Sequence, residues 1–287
     1  MRPNAVLTRG INRLSQAGLP SPAADARFLL AHVLDVAPVS LTFIPDVPLD
    51  AIARYDQLLE LRAARHPVQH LTGIAYFRNI SVQVGSGVFI PRPETEGLVQ
   101  LVLDWITKRC WQLPVVICDL GTGSGVIAKS LSSELAAADI VAHIHAAELS
   151  ETAYRYAVQN LATSGVDLRL ADFTTAFPDL IGMVDVVVSN PPYVPTTVRQ
   201  TLPSDVINRD PDMALFSGDD GLDALRAIAG TAVALLRPDG LLALEHDDSQ
   251  GCTAPAALMT VGGFDEIVEH SDLADRPRYV TARRIGT

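Results

Sequence analysis

The chain has 287 residues, room for one large domain or two smaller ones, and its 48% hydrophobic content suits a packed core rather than a disordered segment. A net charge of −11 speaks against nonspecific DNA or RNA binding as the main role and suits a basic protein partner. No apolar run is long enough to span a bilayer, and Cys110, Cys118 and Cys252 share no metal-like or disulfide-like spacing, so a cytoplasmic protein with reduced thiols is expected.

The stretch Met1–Pro20 spreads Arg2, Arg9 and Arg13 along it without a compact apolar block, which argues against a signal peptide. Residues 4–17, 21–35 and 49–65 read as amphipathic helices. Ser21 before Pro22 is an N-cap followed by proline at the first helical position, and Leu29, Leu30, Val33 and Leu34 supply an apolar face. Ile52, Tyr55, Leu58, Leu59 and Leu61 do the same for the third helix. These helices make a small bundle over residues 1–70, which either packs on the rest of the chain or grips a partner.

The pattern changes at His66-Pro67-Val68-Gln69-His70-Leu71-Thr72-Gly73. Pro67 interrupts any helix between the two histidines, so a metal site there is not expected. Tyr76–Val84 and Val88–Ile90 read as a hairpin turning around Gly85-Ser86-Gly87, a linker over 71–92. The next helix opens at Pro91-Arg92-Pro93-Glu94-Thr95-Glu96 and runs through Leu98, Val99, Leu101, Val102, Trp105 and Ile106. Glu94 and Glu96 in its first turn suit the helix dipole, or a cationic ligand facing them.

Strands and helices then alternate over 93–287. Val115–Leu120, Ile140–Glu148, Leu168–Asp172, 184–189 and Gly240–Glu245 read as strands. Helices over Val126–Leu135, Ser150–Ala162, Gly221–Leu236 and 249–261 separate or follow them, and Asp265–Glu269 and Tyr279–Arg284 end the chain as strands. The expected fold is α/β: a doubly wound, mostly parallel seven-stranded sheet with a final antiparallel hairpin.

Four loci at strand ends concentrate the chemistry. The apolar run Val184–Val188 stops at Ser189-Asn190-Pro191-Pro192-Tyr193-Val194, and the prolines fix the chain direction where open α/β sheets place ligands. Asp119-Leu120-Gly121-Thr122-Gly123-Ser124-Gly125 lies between a strand and a helix. Its spacing is not Gly-x-Gly-x-x-Gly, and the carboxylate before the loop suits a ligand with a positive amino group better than a pyrophosphate. Glu148 ends the second strand, where a carboxylate can accept both hydroxyls of a ribose. Asp172 can accept from an exocyclic purine amine, and Phe173 can stack on the ring.

Together these motifs resemble class I S-adenosylmethionine-dependent methyltransferases, Rossmann-like in fold. Asn190-Pro191-Pro192-Tyr193 narrows the resemblance to enzymes that methylate a planar amide or aromatic amine. The chain is similar throughout to the peptide chain release factor glutamine-N5 methyltransferases. The further marks of that family are Pro91–Glu96, Pro67…Gln69…Gly73, Ala214-Leu215 before Gly218-Asp219-Asp220-Gly221-Leu222, and Leu244-Glu245 with Gln250. The chain departs from it in Glu148 where Asp is expected, Asp210 before Pro211 where Glu is frequent, and Phe173 where some members have Trp.

The resemblance implies S-adenosylmethionine as cofactor, held by Asp119, Gly121, Thr122, Gly123, Ser124, Gly125, Glu148, Asp172, Phe173 and Asn190. It implies Asn190, Pro191 and Tyr193 as catalytic residues, with Pro192 beside them in substrate binding, and no metal. The implied substrate is the glutamine of a Gly-Gly-Gln loop on a bacterial class 1 release factor, met by a monomer with no membrane or nucleic-acid partner and docked by the N-terminal helices. The alternatives are methylation of a ribosomal-protein glutamine or of adenine N6 in DNA, a non-catalytic cofactor-binding module, and a nicotinamide dehydrogenase, the last disfavoured by the loop spacing.

Overall fold

The computed structural model describes residues 1–111, 113–201 and 211–286, so Asp210 lies outside the described residues. The chain forms two compact units, Met1–Ile74 with Val84–Ser86, and Ala75–Gln83 with Gly87–Thr287.

The first unit is helical: α1 (Pro3–Gln16), α2 (Pro22–Val33), α3 (Leu49–Ala63) and the short α4 (Val68–Thr72). Proline opens both α1 and α2, where its missing N–H costs no hydrogen bond; the Ser21 side chain makes no capping bond. Val6, Leu14, Leu29, Leu30, Tyr55 and Leu59 are all fully buried and form the core. The Tyr55 hydroxyl, buried with them, donates to the Ala26 carbonyl at 3.2 Å. Gly73 ends α4 in a left-handed conformation at φ 74°.

The second unit is built on a seven-stranded sheet in the order β5-β4-β3-β6-β7-β9-β8. The strands are β3 (Val115–Leu120), β4 (Ala142–Glu148), β5 (Asp167–Leu170), β6 (Val184–Ser189), β7 (Leu236–Glu245), β8 (Phe264–Ser271) and β9 (Pro277–Arg284). Neighbours from β5 to β7 run parallel, whereas β9 is antiparallel to β7 and to β8. All six residues of β6 are buried, as its valine-rich run, interrupted at Asp185, requires of a strand covered on both faces. The helices of this unit are α5 (Thr95–Thr107), α6 (Val126–Ala137), α7 (Glu151–Leu161), the one-turn α8 (Asp212–Leu215), α9 (Asp223–Leu235) and α10 (Thr253–Val261). Among the described residues no helix is long and apolar enough to cross a membrane.

The strand order reverses beside β3. The chain steps outward to β4 and β5, then returns to the other side of β3 as β6. A crevice therefore opens above the carboxyl ends of β3 and β6, where connections leave in opposite directions. Asp119, Glu148 and Asn190 all stand at that edge.

Several boundaries differ from the expectation, and three of the differences bear on the site. The hairpin pairs β1 (Ile74–Phe77) with β2 (Ile80–Gln83) and turns at Arg78-Asn79, not around Gly85-Ser86-Gly87. Arg78 takes the turn at φ 46°, and tertiary contacts hold it there: its N–H donates to Glu96 Oε1 at 2.9 Å and its guanidinium grips both oxygens of Glu134. Local glycine content misleads because these contacts come from α5 and α6. The helix expected from Pro91 begins at Thr95, and β7 begins at Leu236, ahead of Gly240, across a register shift opposite Val184–Val186.

Helix α5 is pinned at its start by the Tyr279 hydroxyl of β9, which donates to the Glu94 carbonyl. Gly97 lets the two approach, since a Cβ there would overlap that hydroxyl. Gly97→Ala gains about 0.8–1 kcal/mol of helix propensity against an overpacking cost of about 1–3 kcal/mol. The expected outcome is a net loss of stability in urea unfolding of the full chain; an unchanged or raised midpoint would show that α5 shifts freely on β9.

Candidate active site

The glycine loop follows β3 directly. Gly121 and Gly123 take φ of 74° and 58°, and a Cβ added at either would meet nothing within 4 Å. The loop thus turns through a region closed to most side chains and leaves its backbone bare on one side. That side faces a cavity of about 470 Å3. Its wall includes Gly121–Ser124, Glu148–Ser150, Ala171, Phe173 and Asn190–Val194, with Phe89, Pro91, Thr95 and Met213 among the rest. The volume and mostly apolar lining suit a small-molecule ligand held by a few polar groups.

Asp119 lies beneath this loop and does not line the cavity. It is fully buried, and Oδ2 accepts from the Thr122 hydroxyl at 2.5 Å and from the Ala128 N–H at 3.2 Å. Oδ1 has no hydrogen-bond partner among the described residues. Burial pushes this carboxyl up to about 7, against the pull of its two hydrogen bonds.

Glu148 does reach the wall. Its Oε2 accepts from Gly123 N–H and its Oε1 from Ser150 N–H, both at 2.8 Å. Each oxygen keeps a lone pair for a ligand hydroxyl. Of the next pair, only Phe173 lines the cavity. Asp172 is exposed and accepts from the Thr174 N–H and hydroxyl, which hold its carboxyl below the usual range.

The Asn190 turn is clamped on several sides. The Ser189 hydroxyl donates to the Leu120 carbonyl, tying the end of β6 to the end of β3. Gln250 Nε2 donates to the carbonyls of Tyr193 and Asp220 at 3.1 and 3.2 Å. Val194 N–H donates to Leu215 O at 2.8 Å and Ser217 N–H to Val194 O at 3.0 Å. Gly221, at φ 77°, passes so close to the Tyr193 carbonyl that a Cβ would overlap it. The distant marks Leu215, Gly221 and Gln250 thereby acquire a physical role as braces of this turn.

Asn190 Nδ2 donates to Thr95 Oγ1 at 3.0 Å. The Pro91–Glu96 stretch suggests its carboxylates from the sequence, and it is the hydroxyl between them that reaches the site. Neither Glu94 nor Glu96 lines the cavity; Glu96 holds the hairpin turn and Glu94 lies 3.8 Å from Arg276. Thr95 is buried and on the wall. Glu245, at the end of β7, was also missed as a site group. It is 1% exposed, and Thr95 and Asn190 beside it pull its carboxyl down against the effect of burial. A carboxylate ending an inner strand is the signal that could have found it, as it found Asp119.

Residues 5–73 match the PrmC N-terminal domain model, and residues 82–213 match the methyltransferase small domain model. The chain is 44% identical to the release factor glutamine methyltransferase of Streptomyces coelicolor, covering 98% of this chain and 97% of that one. It is 40% identical to the protein of that name from Mycolicibacterium smegmatis, over 95% and 94% of the two chains, and 38% identical to that of Deinococcus radiodurans, over 98% of each.

The buried Asp119 makes a testable contribution to stability. Its folded pKa is raised from 3.8 to about 7, so the native state holds a proton that the unfolded chain has lost. The associated stability is complete below pH 3.8 and is lost as pH rises through about 7. Asp119→Asn should therefore gain on the wild type in urea unfolding between pH 5 and pH 8. Parallel pH profiles for the two would refute a buried, proton-holding Asp119.

Proposed function

The chain belongs to the release factor glutamine methyltransferases, and we propose that it transfers a methyl group from S-adenosylmethionine to the side-chain amide nitrogen of the Gly-Gly-Gln glutamine of a class 1 release factor, in the cytoplasm. The observation that carries this reading is the braced Asn190 turn at the cavity wall, with Asn190 tied down by its NH2 end.

The cavity suits the cofactor on three counts. The loop backbone is bare at Gly121 and Gly123, Glu148 has spare acceptor capacity for a ribose, and Phe173 offers a ring for the adenine. Bound there, S-adenosylmethionine supplies an activated methyl group on a positively charged sulfur. Thr122 and Ser124 line the cavity beside Gly121 and Gly123, whereas Gly125 is off the wall, where a Cβ would crowd Leu161. Asp119 supports the loop from below, through its bonds to Thr122 and Ala128. Asp172, turned toward Thr174, would contribute through the shape of the Phe173 turn.

A glutamine amide is a weak nucleophile because its nitrogen lone pair is delocalised into the carbonyl. Asn190 Oδ1 and the Pro191 carbonyl are two acceptors for the two amide hydrogens, and Tyr193 offers a ring face to the flat amide. Pro191 and Pro192 keep those acceptors in place before the substrate arrives. Holding the nitrogen in line with the methyl contributes up to about 7–11 kcal/mol to the transfer. The nitrogen becomes acidic as it is methylated and sheds its proton late, so no residue is assigned as general base. The helical unit, residues 1–70 in this reading, holds the body of the release factor while its glycine-flanked glutamine enters the cavity.

The test incubates the protein with labelled S-adenosylmethionine and a purified release factor, then locates the methyl group by mass spectrometry. The expected product carries it on the Gly-Gly-Gln glutamine. Asn190→Ala should lower turnover about 100-fold or more with the fold intact by circular dichroism. Wild-type turnover by that variant, or methylation elsewhere, would overturn the assignment.

A further inference from the structure

We propose that Thr95 and Glu245 are positioning residues that lock the Asn190 carboxamide with its oxygen toward the cavity, and so make the site selective for a substrate that donates N–H. This rests on the reading of the site as an amide methyltransferase.

A carboxamide has two ends of nearly equal shape and opposite polarity. With Oδ1 outward it accepts from a substrate NH2; with Nδ2 outward it faces that NH2 with like donors. Nothing in the side chain itself decides between them, so the surroundings must. Asn190 Nδ2 donates to Thr95 Oγ1 at 3.0 Å. Having accepted that hydrogen, the Thr95 hydroxyl is free to donate its own, and Glu245 lies within hydrogen-bonding reach of both Thr95 and Asn190. An ionised carboxylate only accepts. The bond the structure shows, Asn190 to Thr95, then points inward, and both side chains have a hydrogen left to turn toward Glu245 beside them. The direction is fixed by the acceptor at the end of the chain.

The three residues come from the start of α5, the end of β6 and the end of β7, and all lie behind or at the cavity wall. Glu245 itself does not line the cavity, which suits a group that acts through others. Its burial is costly, because Oε2 has no hydrogen-bond partner among the described residues. A buried acid with half its capacity unused is poor structural material, and its use in orienting Asn190 explains why it stands there.

Protonation reverses the logic. A neutral Glu245 can donate to Thr95, which can then donate to Asn190 Oδ1 and turn the NH2 outward. Burial raises the Glu245 carboxyl to about 7, while Thr95, Arg278 and Asn190 pull it down and Glu94 pushes it up. Tyr193 and Tyr279 also face it, and both feel its charge. The active form is the ionised one, so turnover should rise with pH through the neutral range.

The experiment measures methyl transfer to a purified release factor from pH 5.5 to 8.5 for the wild type, Thr95→Val, Thr95→Ser and Glu245→Gln. Thr95→Val keeps the shape and removes the relay; kcat should fall about 10–100-fold. Thr95→Ser restores the hydroxyl and should recover about tenfold or more of that loss. Glu245→Gln cannot enforce a direction, and should lower kcat and abolish the acid limb of the wild-type profile. A wild type that methylates the release factor, with Thr95→Val equally active or with the acid limb kept in Glu245→Gln, would overturn the locking role alone. A wild type with no transfer at any pH would instead overturn the enzyme reading. Calorimetry with S-adenosylmethionine checks that each variant still binds the donor, so that a collapsed cavity is not mistaken for a misdirected amide.

Discussion

The second unit depends on holding one short turn still. A Pro-Pro dipeptide gives the chain after β6 a fixed direction but no backbone N–H at either position, so it cannot be secured from within. Its restraint comes from elsewhere in the sequence: Gln250 on the Tyr193 carbonyl, Leu215 and Ser217 on Val194, Gly221 packed beneath, and Thr95 on the Asn190 side chain. Each is a modest interaction, about 0.5–1.5 kcal/mol as a net hydrogen bond. Their value lies in what they forbid. Alignment is worth several times more than any one of them to a reaction between a weak nucleophile and a methyl group.

The same edge of the sheet carries two buried acids, Asp119 at the end of β3 and Glu245 at the end of β7, flanking β6. Each is pushed up to about 7 chiefly by burial, and each has a threonine beside it that pulls it down and one oxygen without a hydrogen-bond partner among the described residues. Neither arrangement is what stability alone selects, since an unpaired buried polar atom costs about 1–3 kcal/mol. One acid shapes the loop that bares its backbone to the cavity, and the other stands behind the amide at the opposite wall.

The fold was legible because its strands are written as short apolar runs such as Val115–Cys118 and Val186–Val188, a pattern that buried parallel strands require. The strand-end residues were legible for the same reason: an acid or amide closing such a run is conspicuous. What escaped was set by contacts distant in sequence. The hairpin turns at Arg78 rather than at the glycines because Glu96 and Glu134 hold it. Thr95 is a threonine between two glutamates, and only the approach of Asn190, 95 residues away, gives its hydroxyl a use. Asp119 was readable as important, but not as lying beneath the loop instead of on the cavity wall.

Selection of the substrate cannot rest on the cavity alone. A glutamine side chain offers the Asn190 turn two N–H groups and a flat face, and every exposed glutamine offers the same. Discrimination by missing or misplaced hydrogen bonds separates an amide from a carboxylate strongly, because buried acceptors left facing a negative charge are penalised. It does nothing to separate one protein's glutamine from another's. On the proposed reading, that second choice must come from surface outside the cavity that touches the rest of the release factor. The helical unit has its own buried core of Leu14, Leu29, Leu30, Tyr55 and Leu59 behind such a surface. Chemistry is then specified by one amide turned the right way, and identity by a separate body of helices, so that a change in either should leave the other intact.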